Sequence, residues 1–380
     1  MDIGIGAEVA FNRKNPIFLG VLGIAILAVL FLASYFYFFP LIPMWYAAFV
    51  ALPLPLFALR QGQKSPILMI GSGMIGEKIL NLVARNHNNG YGVIHFRWDH
   101  PTSDALEKEW VRLNTIFEDD KIEKVVVALD DRRNQFPFDL LLAIRVTGVQ
   151  IIEAVSFYEK ISGRVPVEFL KPSDLIFCSG FKRSEGILMF KRGVDIFLSI
   201  VGLLLGLPLL LISAILIKLD SKGPVFYSQN RVGFKGRVFE VPKLRTMLDN
   251  AEGPSGPVYA DKNDLRITRV GQFLRKYRID EIPQMFTILS GAMSFVGPRP
   301  ERPVFVEKLH GKIPFYNLRH TIKPGLTGWA QIRHPYSSTL KESHEKFEHD
   351  LYYIKHVSLF LDLKIIINTV RVLLLGQGAR

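Results

Sequence analysis

Residues 191–224 read "KRGVDIFLSIVGLLLGLPLLLISAILIKLDSKGP", and the side of a membrane on which the rest of the chain sits depends on how this stretch folds. Between Val194 and Ile217 only Asp195 is charged, so length and composition alone suggest a transmembrane helix. Two features argue against a crossing. Lys191 and Arg192 stand at one end, Lys218 and Lys222 at the other, so the positive-inside rule favours neither exit side. Pro208 lies near the middle, where it removes a backbone hydrogen bond and bends or breaks a helix. From Gly193 to Pro208 the chain advances about 22 Å as a helix, short of a hydrocarbon core about 30 Å thick. The expectation is helix, break at Pro208, helix over about 190–219, dipping into the bilayer and returning to the same face. A kinked spanning helix is the alternative.

Upstream, "IFLGVLGIAILAVLFLASYFYFF" runs from Ile17 to Phe39 without a charge, and a second apolar stretch, "MWYAAFVALPLPLFAL", starts at Met44. Cations lie outside both ends of the pair, at Arg13 and Lys14 and at Arg60 and Lys64. Residues 1–62 therefore read as an N-terminal membrane hairpin with both flanks in the cytoplasm. From Pro66 the pattern changes. "ILMIGSGMIGEKILNLVARN" is an apolar strand, a turn with Gly71, Gly73 and Gly76 at GxGxxG spacing, and a helical pattern. Further strand-like runs, "YGVIHF", "KVVVAL" and "VQIIEA", alternate with helical stretches, which predicts a Rossmann-like parallel sheet in a domain spanning 63–185. Asp99 follows the second strand, where a ribose contact could sit, but its spacing is long for nicotinamide binding. Glycines that serve only tight packing are the simpler reading.

The 380 residues leave room for two or three domains, and a mean hydropathy of +0.21 concentrated in a few runs marks a membrane protein with soluble parts. A net charge of +12 calls for anionic partners, and the apolar runs favour lipid headgroups and phosphorylated substrates over nucleic acid. The single cysteine, Cys178, excludes an intrachain disulfide. His344 and His349 are five apart, not the i, i+4 pairing of a helical zinc site.

Downstream of Gly223 the chain turns basic and glycine-punctuated. "GPVFYSQNRVGFKGRVFEVPKLRTM" predicts two short strands turning around Gly233–Gly236. Within "RKYRIDEIPQMF", residues 275–286, Asp280 and Glu281 follow Arg275, Lys276 and Arg278 and precede Pro283. Neighbours on a helix point about 100° apart, so the two carboxylates suit different tasks rather than one shared proton. Pro283 places the dyad at a break where a new helix begins. The cations keep an aspartate ionised and offset its repulsion from a diphosphate, so Asp280 could attack phosphorus while Glu281 holds a divalent metal.

The ordered series "KLRTM", "DLRITRVGQFLRKYRIDEIPQ", "MSFVGPRPERP" and "KPGLTGWAQIRHP" resembles the bacterial sugar transferase family, the large monotopic phosphoglycosyl transferases. The resemblance covers about 188–380, giving a C-terminal α/β catalytic domain over 186–380. It implies that Asp280 is the nucleophile on the β-phosphate of a UDP-sugar and that Glu281 helps bind Mg2+. UMP would be expelled, and polyprenyl phosphate, undecaprenyl phosphate in bacteria, would take the hexose-1-phosphate. That is the first membrane step of exopolysaccharide or O-antigen assembly. It further implies substrate contacts at Lys243, Arg245, Arg275 and Arg299, with Arg302 and Arg333 as weaker candidates. Each has a surface-cation alternative. The implied location is the cytoplasmic face of the bacterial inner membrane, and the implied partners are UDP-sugar, polyprenyl phosphate and lipid. Nothing in the residues decides whether a second copy of the chain joins them. "IRHPYSSTLKES" after "GWAQ" departs from the short Asn-Gly turn of many members and, with "DLYYIKHVSLFLDL", resembles the exosortase-associated exopolysaccharide subgroup. The segment "SLFLDLKIIINTVRVLLLG" carries too much charge for a comfortable span and reads as a surface or hairpin-packing helix. A nicotinamide-dependent epimerase and a non-catalytic assembly scaffold are the rival readings, the first weakened by the lack of a Tyr-x-x-x-Lys pair behind the glycine turn.

Overall fold

The computed structural model describes residues 65–374 except 72, 86–90, 98–110, 112, 114, 118–121, 123, 130–137, 179, 182–183, 250, 252–263 and 334–338. The expected membrane hairpin over 1–62 and the candidate Asp99 lie outside the described residues.

The first unit is a four-stranded parallel sheet, as the alternating pattern predicts. Its strands are β1 (Ser65–Ile70), β2 (Tyr91–Phe96), β3 (Lys124–Val127) and β4 (Gln150–Glu153), in the order β2-β1-β3-β4. Ile67 to Ile70 are wholly buried because both faces are covered. Leu68, Ile70, Val125 and Val127 face Leu113, Leu141 and Ile144 on one side, while Ile67, Met69 and Val126 face Ile75, Ile79 and Phe157 on the other. Helix α1 (Met74–Arg85) follows the glycine turn, and α2 (Phe138–Val146) and α3 (Ala154–Ser162) flank β4. Gly71 has φ +98°, and a Cβ there would lie 2.7 Å from the Ala128 carbonyl oxygen; one on Gly76 would meet the Ala128 Cβ at 3.1 Å. These two glycines are used up in packing the turn against the end of β3, which favours the packing reading.

Gly163 ends α3 in the left-handed region and turns the chain onto the C-terminal half. Its carbonyl accepts a hydrogen bond from Trp329 Nε1 at 2.8 Å and lies 3.1 Å from His349 Nδ1. Val165 and Val167 then pack with Ile313, Tyr316, Phe347 and Leu351. A short helix, α4 (Pro172–Phe177), precedes the long apolar one.

Helix α5 (Glu185–Asp220) is a single 36-residue helix with Pro208 inside it, where two helices separated by a break were expected. Proline deprives one turn of one hydrogen bond, and the contacts along the rest of the helix carry it through that loss. Asp195, Ser199, Gly206, Leu210, Ser213 and Ile217 form one buried stripe at helical spacing. At its start Asp195 accepts from Phe295 N (2.7 Å) and Ser294 (3.0 Å), and Lys191 pairs with Asp362 at 2.7 Å. At its end Asp220 accepts from Val270 N at 3.0 Å. The opposite face, with Leu204, Leu205, Leu211, Ile212, Ile215 and Leu219, is exposed and apolar.

The predicted hairpin is present as β5 (Phe226–Val232) and β6 (Val238–Leu244), antiparallel with Tyr227 opposite Lys243. There follow α6 (Arg269–Lys276), a 3-10 turn (Ile279–Glu281), α7 (Gln284–Ser290) and β7 (Ser294–Val296), then α8 (Pro303–His310) and a 3-10 turn (Tyr316–Thr321). Last come β8 (Gly325–Thr327), α9 (Trp329–Arg333), α10 (Leu340–Lys355) and α11 (Leu359–Leu374). β7 and β8 pair in parallel. Trp329 is 3% exposed, so it fills the core rather than meeting headgroups. α11 packs on the domain through one face, with Leu361, Asp362 and Ile365 buried, while Phe360, Leu363 and Ile367 are exposed.

Candidate active site

The dyad sits where Pro283 predicts, in the 3-10 turn between α6 and α7. Thr268 caps α6 by accepting from Gly271 N at 3.0 Å; α6 stops at Tyr277, and Arg278 takes a left-handed conformation (φ +52°) that reverses the chain into the turn. Asp280 and Glu281 are both buried. Behind them α5 comes close enough that a Cβ on Gly206 would lie 2.9 Å from Ile282.

Three elements aim cations at this turn. Lys243 from β6 reaches Glu281 Oε1 at 3.1 Å, and Arg299, from the loop after β7, reaches the same oxygen at 2.6 Å. Arg278 approaches Oε2 at 3.4 Å. Arg275 donates from Nε to Thr246 at 2.8 Å, and its charge also acts on Asp280. Four cations (Lys243, Arg275, Arg278, Arg299) thus face two carboxylates, a surplus of two positive charges that suits a doubly charged anion.

The two carboxylates are driven apart electrostatically. Burial alone would raise Glu281, but Arg299, Lys243 and Arg278 outweigh it and hold that carboxyl well below its usual range. For Asp280 burial prevails and raises the pKa, opposed by Lys243 and reinforced by the Glu281 charge. Different roles for the pair, inferred from their adjacency, are consistent with this asymmetry.

Of the remaining predicted contacts, Arg245 is buried and its Nη2 donates to the Ser221 carbonyl and hydroxyl, both at 2.9 Å, closing the end of α5. Its buried Nε and Nη1 have no partner among the described residues. Arg302 stands just ahead of Pro303 at the start of α8, and its charge is felt by Arg231. Arg333 is exposed and stacks 4.6 Å over the Trp329 ring, beside the Gly163 joint rather than at the dyad. The sequence reading missed Arg231, Glu301, Arg319, Lys346 and Asp350, a buried charged group behind the Arg299 loop. The signal available was Glu301 inside "GPRPERP"; nothing local to Arg319 or Asp350 points to that loop.

A buried carboxylate pair set among cations lies in an α/β domain that carries, among the described residues, one helix long and apolar enough by length and composition to cross a membrane. The bacterial sugar transferase family profile matches residues 187–376, half of the chain, and the protein belongs to that family. The chain is 45% identical over 222 residues to a UDP-N-acetylgalactosamine-undecaprenyl-phosphate N-acetylgalactosaminephosphotransferase of Aeromonas hydrophila, covering 58% of this chain and 52% of that protein. It is 44% identical over 185 residues to a UDP-glucose:undecaprenyl-phosphate glucose-1-phosphate transferase of Klebsiella pneumoniae, 48% of this chain and 40% of that one. The chain thus spans about half or less of the length of these two relatives. A third match, an exopolysaccharide production protein of Rhizobium leguminosarum bv. phaseoli, is 40% identical over 191 residues, which make up 94% of that shorter protein.

Proposed function

We propose that this chain transfers a hexose-1-phosphate from a UDP-sugar to a polyprenyl phosphate such as undecaprenyl phosphate, the opening membrane step of a surface polysaccharide. The observation that carries the reading is the buried Asp280–Glu281 turn with its four surrounding cations, in a chain of the bacterial sugar transferase family. The relatives' names supply the donor and acceptor classes.

In the first step a carboxylate oxygen of Asp280 forms a bond to the β-phosphorus, the phosphorus–oxygen bond to the leaving nucleotide breaks, and UMP carries away the electron pair. In the second, an oxygen of the lipid phosphate attacks the same phosphorus and Asp280 leaves as the free carboxylate. Lys243, Arg275 and Arg299 hold the phosphate oxygens and offset the repulsion between substrate and nucleophile. The long Arg278–Glu281 contact, at 3.4 Å, is one that a cation can replace. The donor set therefore fits Mg2+ as it usually binds at phosphate sites, with Glu281 and Asp280 as protein ligands and phosphate and water as the rest. When bound, the ion would neutralise charge on the diphosphate.

The seating of α5 supports a monotopic arrangement on the cytoplasmic face of the inner membrane, with the unbroken helix lying in one leaflet instead of dipping in and turning back at Pro208. Among the described residues it is the one helix long and apolar enough to cross a membrane by length and composition. Yet Lys191 and Asp195 at one end and Asp220 at the other bind the same domain. Its exposed apolar face then meets lipid without the chain passing through, and the acceptor phosphate at the headgroup plane comes within reach of the dyad.

The test is UMP release from candidate UDP-sugars with Mg2+ and polyprenyl phosphate, for the wild type and Asp280→Asn. Release by the wild type, with loss of at least about a thousandfold in the variant, is expected. Undiminished release by Asp280→Asn would rule out Asp280 as the nucleophile, and no release by the wild type with function in the cell surviving that change would point to the scaffold reading instead. C-terminal tags labelled from the periplasm would overturn the monotopic arrangement.

A further inference from the structure

The loop that presents Arg299, "GPRPER" at 297–302, alternates with proline, so Pro298 and Pro300 have no N–H to give and the loop cannot be tied down as a strand would be. Beyond Gly297, whose N–H donates to the Thr327 carbonyl at 2.9 Å, it is held by its carbonyls. Pro298 O accepts from Gly325 N at 2.9 Å, Arg299 O from Arg319 Nη2 at 2.8 Å, Pro300 O from Arg231 Nη1 at 3.1 Å and Glu301 O from Val232 N at 2.9 Å. Four successive carbonyls are engaged, and two of the four donors are arginine side chains.

Arg319 is itself fixed from several directions. Its Nη2 pairs with Asp350 at 3.2 Å, its Nη1 donates to the Tyr316 hydroxyl, and its guanidinium lies 4.9 Å from the Tyr316 ring centroid. Arg231 is set by Gln229 at 2.5 Å and by Glu301 at 3.8 Å, and Lys346 holds Glu301 from the far side at 2.5 Å. Lys346 and Asp350 are four apart on α10 and share a face. The group is buried around a space too small for a substrate, so it has no ligand of its own to bind.

We propose that Arg319 and Arg231 are positioning residues for the transfer reaction: by gripping the carbonyls of Arg299 and Pro300 they hold the Arg299 guanidinium at Glu281 and at the reacting phosphate. This rests on the function proposed above. Arg319 touches no substrate in this account; a shift of the loop by about an ångström would misplace Arg299, and displacements of that size cost up to about a hundredfold in rate.

The experiment pairs kinetics with amide hydrogen exchange on the full-length protein. Arg319→Lys keeps the charge but cannot reach all three partners, and Arg231→Lys is the second variant, acting from a different element. Each is expected to lose about tenfold or more in kcat and to raise exchange in the peptide covering 297–302, with the parallel sheet of residues 65–153 unchanged. Each is then combined with Arg299→Lys. If the two arginines act through Arg299, the double variants lose no more than Arg299→Lys alone; a merely structural role would multiply the losses. Multiplied losses, or exchange in 297–302 equal to wild type in both variants, overturn the proposal. The exchange reading needs no turnover, so a wild type that releases no UMP would sink the transferase reading while still reporting whether these arginines hold the loop.

Discussion

At the dyad, two adjacent carboxylates answer differently to the same burial, and their substitutions separate accordingly. Glu281 is ionised against Lys243, Arg299 and Arg278. Glu281→Gln leaves those cations without their counter-charge and is expected to cost about 3–5 kcal/mol, read as a lowered thermal midpoint. Asp280 is already raised by burial, so Asp280→Asn should change stability by less than about 1 kcal/mol while removing activity. A second carboxyl gives a pH signature. Burial pushes Glu348 up to about 7, against the pull of Arg164 and Lys78. A raised carboxyl contributes stability below its unfolded pKa near 4.5 that is lost as pH rises through 7. Glu348→Gln is therefore expected to raise stability at pH 8 by on the order of 3 kcal/mol, read as a higher thermal midpoint, and to leave the midpoint nearly unchanged at pH 4. An equal effect at both values would contradict this. The dyad was legible because its meaning lies in neighbours along the chain, Arg275, Arg278 and Pro283. Arg319 was not, because what gives it a role is the Arg299 carbonyl twenty residues away and Asp350 on another helix.

Among the elements, the strands were readable from their apolar runs and the β5–β6 turn from its glycines, since both depend on local pattern. The course of α5 was harder to read. Pro208 is a local signal for a break, while what keeps the helix whole is a stripe of contacts with segments as distant as α6, α7 and β7. Gly202 and Gly206 belong to that stripe, one turn apart, and let α5 approach Met285 and Ile282. Gly206→Val would press on Ile282, the residue after Glu281. It should cost about 1–3 kcal/mol and reduce turnover without altering membrane association, as measured by flotation with liposomes. Arg245 shows the same limit at smaller range: its motif marks it as a substrate contact, whereas its Nη2 is committed to Ser221 at the end of α5.

Across the whole molecule, the parallel-sheet unit and the catalytic half meet at the Gly163 carbonyl, with Glu159 and Lys355 paired nearby at 2.8 Å. Removing residues 1–184 would strip Trp329 Nε1 of its partner and uncover Phe347 and Leu351. The truncated protein is expected to lose about 2 kcal/mol or more of stability and to keep measurable UMP release, since every dyad contact lies beyond residue 242. Chelation by EDTA should abolish release in both forms and be reversed by added Mg2+. The packing of Gly206 on Ile282 has one more consequence. In the monotopic arrangement proposed above, the dyad's height above the acyl chains would be set by where it leans on α5, not by the length of a crossing segment. A spanning anchor is strained when the hydrocarbon slab is thinner or thicker than itself, but a protein resting in one leaflet has no second surface to match. The form without residues 1–184, and so without the expected hairpin of 1–62, should work at nearly the same rate in short-chain and long-chain phosphatidylglycerol vesicles.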